Sequence, residues 1–247
     1  MKRAKLLLSS FNDFFTFENQ HDPASQNMMQ IHHLLEQHSV ANSFVTELRD
    51  KHIQKDRVRF RRNIERLGEI LGYELSKVLP YEEKEVETPL GKAKIALPPD
   101  NIVLCSILRA GLPLHTGLLN VFDQADNSFV SAYRHHPDQD ERFEILVEYL
   151  ASPSLEDKIL ILADPMLATG RSFVNVKHAL ETMGRPRQIH LVAIIAAQPG
   201  IQYVRENFPD DSHLWVATID QELDAKGYIV PGLGDAGDLC FGSKLQH

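Results

Sequence analysis

Apolar residues along the chain keep two different periods, one in the first hundred residues and another in the rest. From Met28 to His38, the spacing of Met28, Ile31, Leu34 and Leu35 predicts a short amphipathic helix. Residues 57–79 predict a longer one, with Val58, Ile64, Leu67, Ile70, Leu71, Leu75 and Leu79 near helical spacing and Pro80 to end it. The stretch VETPLGKAKIAL then reads as a small hairpin turning at Pro89 to Gly91. Beyond residue 101 come five short apolar runs, NIVLCSIL, NSFVSAY, KILILAD, QIHLVAIIAA and HLWVAT, with helical segments at 112–121, 172–183 and 200–207. Near-continuous apolarity is what a strand buried on both faces requires. The pattern predicts an α/β fold: a mostly parallel five-stranded sheet flanked by helices, with N-terminal helices and a small β-hairpin or hood. Residues 1–27 show no period and read as an extension, leaving 28–247 as a single domain.

Polar residues fall where such a fold places its ligands, beyond the C-terminal ends of the strands. The five runs end at Arg109, Arg134, Asp164, Gln198-Pro199-Gly200 and Asp220. Two arginines and a carboxylate converging on one crevice suit a polyanion that carries sugar hydroxyls. After Asp164 the chain continues Pro165, Met166, Leu167, Ala168, Thr169, Gly170, Arg171 and Ser172, a tight loop opening a helix. Free N–H groups and the macrodipole at a helix start favour phosphate. Thr169 and Ser172 add hydroxyls, Gly170 permits close approach of the backbone, and Asp164 suits ribose hydroxyls. The same residues equally suit a plain helix cap after a turn. The loop lacks the Gly-Lys-Ser/Thr triplet of a P-loop.

Composition narrows the classes. A 247-residue chain with 43% hydrophobic and 24% charged residues is ordinary for a soluble globular protein. No apolar run approaches the ~20 residues of a membrane span, and Leu6 to Leu8 is too short for a signal peptide, so a cytoplasmic location is expected. Cys105 and Cys240 form no disulfide framework, and Cys105 reads as a small buried hydrophobe. A net charge of −8 argues against a dedicated nucleic-acid binder. The basic stretch Arg49 to Arg66 is interleaved with Asp50, Asp56 and Glu65, which suits a solvated helix face or a hood near phosphate. His135 and His136 are adjacent and match no metal spacing. GYIVPGLGDAG holds four glycines and a proline in eleven residues, so it cannot be a regular helix or central strand. It reads as a long surface turn or as a loop whose backbone faces a planar ligand.

Four segments together resemble one family. DPMLATGRS resembles the PRPP (phosphoribosyl pyrophosphate) loop of uracil phosphoribosyltransferases, SILRAGLPL and SAYR their two arginine segments, and GYIVPGLGDAGDLCFGSK their uracil-binding ending. The resemblance implies that uracil and PRPP are converted to UMP and pyrophosphate in pyrimidine salvage. It implies that Arg109 and Arg134 contact the phosphates, chiefly pyrophosphate, and that Asp164 to Ser172 hold the ribose and its 5′-phosphate. Ile229, Gly234, Asp235 and Ala236 would bind uracil, with Asp235 also facing the ribose; Asp235 and Arg134 would be the catalytic pair. Mg²⁺ would arrive bound to PRPP, with no metal ligands from the protein. GTP as an effector and a homodimer or tetramer follow from the same resemblance. The chain departs from the family at Arg171, usually glycine, at His135-His136-Pro137-Asp138, and at Leu239-Cys240. Those departures and the basic stretch motivate a second reading, a non-catalytic uracil-nucleotide sensor or RNA-binding regulator.

Overall fold

The computed structural model describes residues 28–135 and 144–244; the expected extension 1–27 and the His136-Pro137-Asp138 turn lie outside them. The N-terminal segment corrects the first expectation. Gln30–His33 is a strand, β1, followed by a 3-10 turn at Leu34–Glu36, and not a helix over 28–38. Met28 is exposed while Met29 is buried, so the helical spacing of apolar residues was coincidental. Two helices follow, α1 (Ala41–Arg49) and α2 (Arg57–Ser76). Asp56 starts α2 by accepting the Val58 and Arg59 N–H groups. Ile64, Leu67, Leu71 and Leu75 of the expected set are buried along α2; Phe60, which the spacing had not included, is buried with them, while Val58 is exposed. The hairpin is present but longer than expected, β2 (Glu82–Thr88) against β3 (Gly91–Leu97), with Leu90 fully exposed at its tip.

The sheet is built from β4 (Ile102–Leu108), β5 (Asp126–His135), β6 (Glu144–Ala151), β7 (Ile159–Ala163), the two-residue β8 (Met166–Leu167), β9 (Gln188–Ala197) and β10 (His213–Asp220), together with β1. Their order is β1-β10-β9-β7-β4-β5-β6, with β8 beside β9. All neighbours are parallel except β5 and β6. The five expected runs are the five central strands; the sheet has eight because β1, β6 and β8 were not foreseen.

Helices cover both faces, which is why the central strands are apolar throughout. On one side α2 and α3 (Leu112–Val121) pack over Leu104, Ile161, Ile194 and Trp215. The two helices approach at glycines: a Cβ on Gly68 would lie 2.9 Å from the Leu114 carbonyl, and one on Gly117 would strike the Glu65 carbonyl. On the other side lie the Phe173, Val174 and Val176 stripe of α4 (Arg171–Leu180) and Ile201 and Val204 of α5 (Gln198–Asn207). Truncating a buried leucine such as Leu104 to alanine costs about 2–5 kcal/mol. Both cysteines are free and buried, and burial pushes each thiol up to about 12. Past β10 the chain makes β11 (Glu222–Leu223) and β12 (Ile229–Val230), then the short helix α6 (Ala236–Phe241).

Candidate active site

Because β4, β5, β7, β9 and β10 are parallel, their C-terminal ends share one edge, and the polar residues read from the sequence gather there. Asp164 leaves β7 still tied to the sheet, its N–H donating to the Val192 carbonyl at 3.1 Å. The Pro165 carbonyl then accepts the Ile194 and Ile195 N–H groups, both at 3.0 Å, and this jog carries Met166 and Leu167 into β8. The loop from Ala168 turns into α4 at Gly170, whose φ of 78° is left-handed and suits glycine. Gly170 and Gly200 sit against each other: a Cβ on Gly200 would strike the Ala168 carbonyl, and one on Gly170 would lie 2.9 Å from the Gly200 carbonyl.

The plain capping role for this loop forms only in part, through Thr169. The N-cap of α4 is Gly170, which supplies no side-chain cap. Asp164 instead accepts the Met166 N–H at 3.3 Å, and the Thr169 hydroxyl lies 3.5 Å from the Arg171 nitrogen. A helix start lacking a side-chain cap retains donors for an anion. Arg171 is exposed, and Ser172 is partly buried.

The glycine-rich ending closes the other side of the edge. Ile229 is buried in β12, and a cis Val230–Pro231 bond follows. Gly232 (φ 61°) and Gly234 (φ 92°) then carry the chain to Asp235, which caps α6 by accepting the Asp238 N–H at 2.9 Å. The second Asp235 oxygen lies 3.4 Å from Lys244 Nζ. Arg109, joined to β4 through a cis Leu108–Arg109 bond, reaches Asp238 and the Gly242 carbonyl, each at 3.4 Å. Ala236 is buried beneath.

Two observations join the loops. A Cβ on Gly227 would stand 3.5 Å from the Thr169 methyl, so the turn before β12 touches the 164–172 loop. Burial, with the nearby Asp235 carboxylate as a like charge, pushes Asp164 up to about 7 against the opposing Met166 N–H. Two carboxylates are thus held close enough to repel, an arrangement suited to a ligand that brings cationic character or hydroxyl donors. Arg134 lies in β5 with its main chain in register with Ile145.

Sequence reasoning missed the partners of the basic stretch. Arg49 forms a two-pronged pair with Asp220, Arg59 pairs with Glu47, Arg62 with Glu65, and Arg61 donates to the Cys240 carbonyl at 2.6 Å. The Arg59 fork, with Asn63 beside it, holds Glu47 down to about 2. Those four arginines are therefore held by partners within the chain.

A family model described as uracil phosphoribosyltransferase matches residues 35–243. The chain belongs to the uracil phosphoribosyltransferase family. A relative of that name from Porphyromonas gingivalis is 52% identical over 217 residues, covering 88% of this chain and all of its own. Another uracil phosphoribosyltransferase, from Thermococcus gammatolerans, is 43% identical and covers 82% of this chain and 89% of its own. A solved structure of an Aquifex aeolicus protein superposes with a TM-score of 0.78 at 32% identity, covering 87% of this chain and 100% of that one. The uracil phosphoribosyltransferase match runs from Leu35 in the 3-10 turn through α6 and leaves β1 outside. Among the described residues, no helix is long and apolar enough to cross a membrane.

Proposed function

We propose that this chain transfers the phosphoribosyl group of PRPP to uracil, producing UMP and pyrophosphate in pyrimidine salvage in the cytoplasm. The observation that carries the proposal is the meeting of the 164–172 loop with the 227–236 loop, with Asp164 and Asp235 close at their junction. In this reading α4's first-turn N–H groups, Thr169 and Ser172 hold the 5′-phosphate, and Asp164 accepts hydrogen bonds from ribose hydroxyls. Main-chain groups at Ile229 and Gly234 to Ala236 read the carbonyl, N–H, carbonyl edge of uracil. Cytosine inverts part of that edge and would leave buried groups unpaired, at about 1–3 kcal/mol each.

Chemistry follows from positioning. The uracil ring nitrogen forms a bond to the anomeric carbon as the bond to pyrophosphate breaks, through an oxocarbenium-like state, and the proton on that nitrogen is released to solvent or to the departing pyrophosphate. Asp235 stabilises the positive sugar, while Arg109 and Arg134 receive the leaving charge. Mg²⁺ arriving with PRPP would add to the neutralisation of the leaving charge, and the neighbouring Asp164 and Asp235 carboxylates would suit a ligand that carries such a cation. The same reading carries a homodimer or tetramer and a response to GTP. Steady-state product analysis with PRPP, Mg²⁺ and each of uracil, cytosine and hypoxanthine tests it, with and without GTP. UMP from uracil alone is expected; folded protein that makes no UMP refutes it.

A further inference from the structure

The base loop has little regular structure of its own, since its only ladder is the two-residue pairing of β11 with β12. What fixes its middle is an ion pair drawn from elsewhere in the chain. Arg49, at the end of α1, donates through Nη2 to Asp220 Oδ1 at 2.7 Å and through Nη1 to Asp220 Oδ2 at 2.9 Å. Both partners then take hold of one glycine. The Gly232 N–H donates to Asp220 Oδ2 at 2.9 Å, and the Gly232 carbonyl accepts from Arg49 Nη1 at 3.1 Å. Arg49 Nη2 also reaches the Thr218 hydroxyl at 3.3 Å. Gly232 lies midway between Ile229 and Gly234, at a φ of 61°, and a Cβ there would strike the Ile229 carbonyl.

We propose that Arg49 and Asp220 are positioning residues for the base, setting the main chain of the 229–236 loop by binding both polar groups of Gly232. Burial pushes the Asp220 carboxyl up, but the Arg49 fork and the Gly232 N–H outweigh it and hold the carboxyl below its ordinary range. Asp220 is 7% exposed, so an uncompensated charge left there would be expensive. A guanidinium makes two parallel bonds to the carboxylate and still has donors to spare, whereas an ammonium is a single point of charge. Gln54 extends the assembly, donating to the Arg49 carbonyl at 3.2 Å while its own carbonyl oxygen would lie 3.9 Å from a Cβ on Gly234. None of these contacts reaches residues 164–172. The pair therefore acts on base recognition and leaves the phosphate loop alone.

The inference rests on the proposed transfer reaction, and its test separates the two. Wild type, Arg49→Lys and Asp220→Asn are compared in steady-state kinetics with uracil and PRPP each varied. Formation of UMP by wild type settles the reaction by itself. The clamp predicts that KM for uracil rises about 10–100-fold in both variants, because the main chain that meets the base is no longer pre-set, while KM for PRPP stays within about twofold. A purely structural role would lower the melting temperature without dividing the substrates in this way. Tryptic cleavage after the exposed Lys226 gives a readout independent of turnover, and it should quicken in both variants. Unchanged uracil kinetics, equal losses toward both substrates, or unchanged cleavage would overturn the inference.

Discussion

Replacing Asp164 by asparagine is expected to stabilise the ligand-free protein while removing most of its affinity for PRPP. Burial, with the Asp235 carboxylate adding to it, lifts Asp164 from an ordinary 3.8 to about 7. Each pKa unit corresponds to ~1.4 kcal/mol, so the ionised carboxylate costs the fold about 4 kcal/mol at pH 8. The folded-state pKa lies above the unfolded one, so between about pH 4 and 7 the folded chain keeps a proton that the unfolded chain has released. Stability therefore falls as pH rises through that window and levels off above it. Asparagine carries no charge, yet its carbonyl can still accept the Met166 N–H that Asp164 accepts at 3.3 Å. Allowing for relaxation, a gain of about 2–4 kcal/mol at pH 8 is expected, a rise in Tm of roughly 5–10 °C for a chain of this size. At pH 5 the gain should shrink to about 1.5 kcal/mol or less. Calorimetric unfolding of both proteins at the two pH values measures this, and titration with PRPP should show affinity lowered at least about tenfold. A variant no more stable than wild type at pH 8, or one with the same gain at both pH values, would refute the reasoning.

Gly200→Ala should raise KM for PRPP about tenfold or more with a smaller effect on uracil, because the added Cβ strikes the Ala168 carbonyl in the phosphate loop; equal constants in steady-state kinetics would contradict this. At the opposite end of the sheet, His190 accepts the Trp215 indole N–H and is held neutral, with burial and the neighbouring His213 and His32 lowering it to about 3. Its folded pKa lies below the unfolded 6.5, so the stability it contributes is complete above that value and is lost as pH falls toward 3. His190→Asn should remove up to about 2 kcal/mol of the stability difference between pH 7.5 and pH 5, read by denaturant unfolding; an unaltered pH slope would count against the assignment.

Much of this architecture can be read from the chain because burial on both faces leaves a plain signature. β4, β7 and β9 are apolar nearly throughout, and α3 occupies the span its spacing predicted. Edge strands leave less. β1 is only QIHH, paired on one side, and the apolar residues flanking it mimic a helix. β6 joins the other edge antiparallel, and β8 has two residues, too few for any period. For the site, strand-end logic placed Arg109, Asp164 and Asp220 at the C-terminal ends of their strands, where the structure has them, and the glycine-rich ending is free of regular helix up to the point where Asp235 caps α6. The partnership of Arg49 with Asp220 could not be read, because 171 positions separate them and Arg49 sits among charges that resemble a solvated surface.

The central claim is that the 164–172 and 229–236 loops form one transferase site in which Asp235 stabilises the sugar as pyrophosphate departs. Its most direct test is simultaneous measurement of UMP and pyrophosphate from uracil, PRPP and Mg²⁺ by wild type and Asp235→Asn. Equal amounts of the two products from wild type are predicted, with turnover falling about 10²–10³-fold in a variant that remains folded. Absence of UMP from folded wild type, or near-wild-type turnover in the variant, would contradict the account.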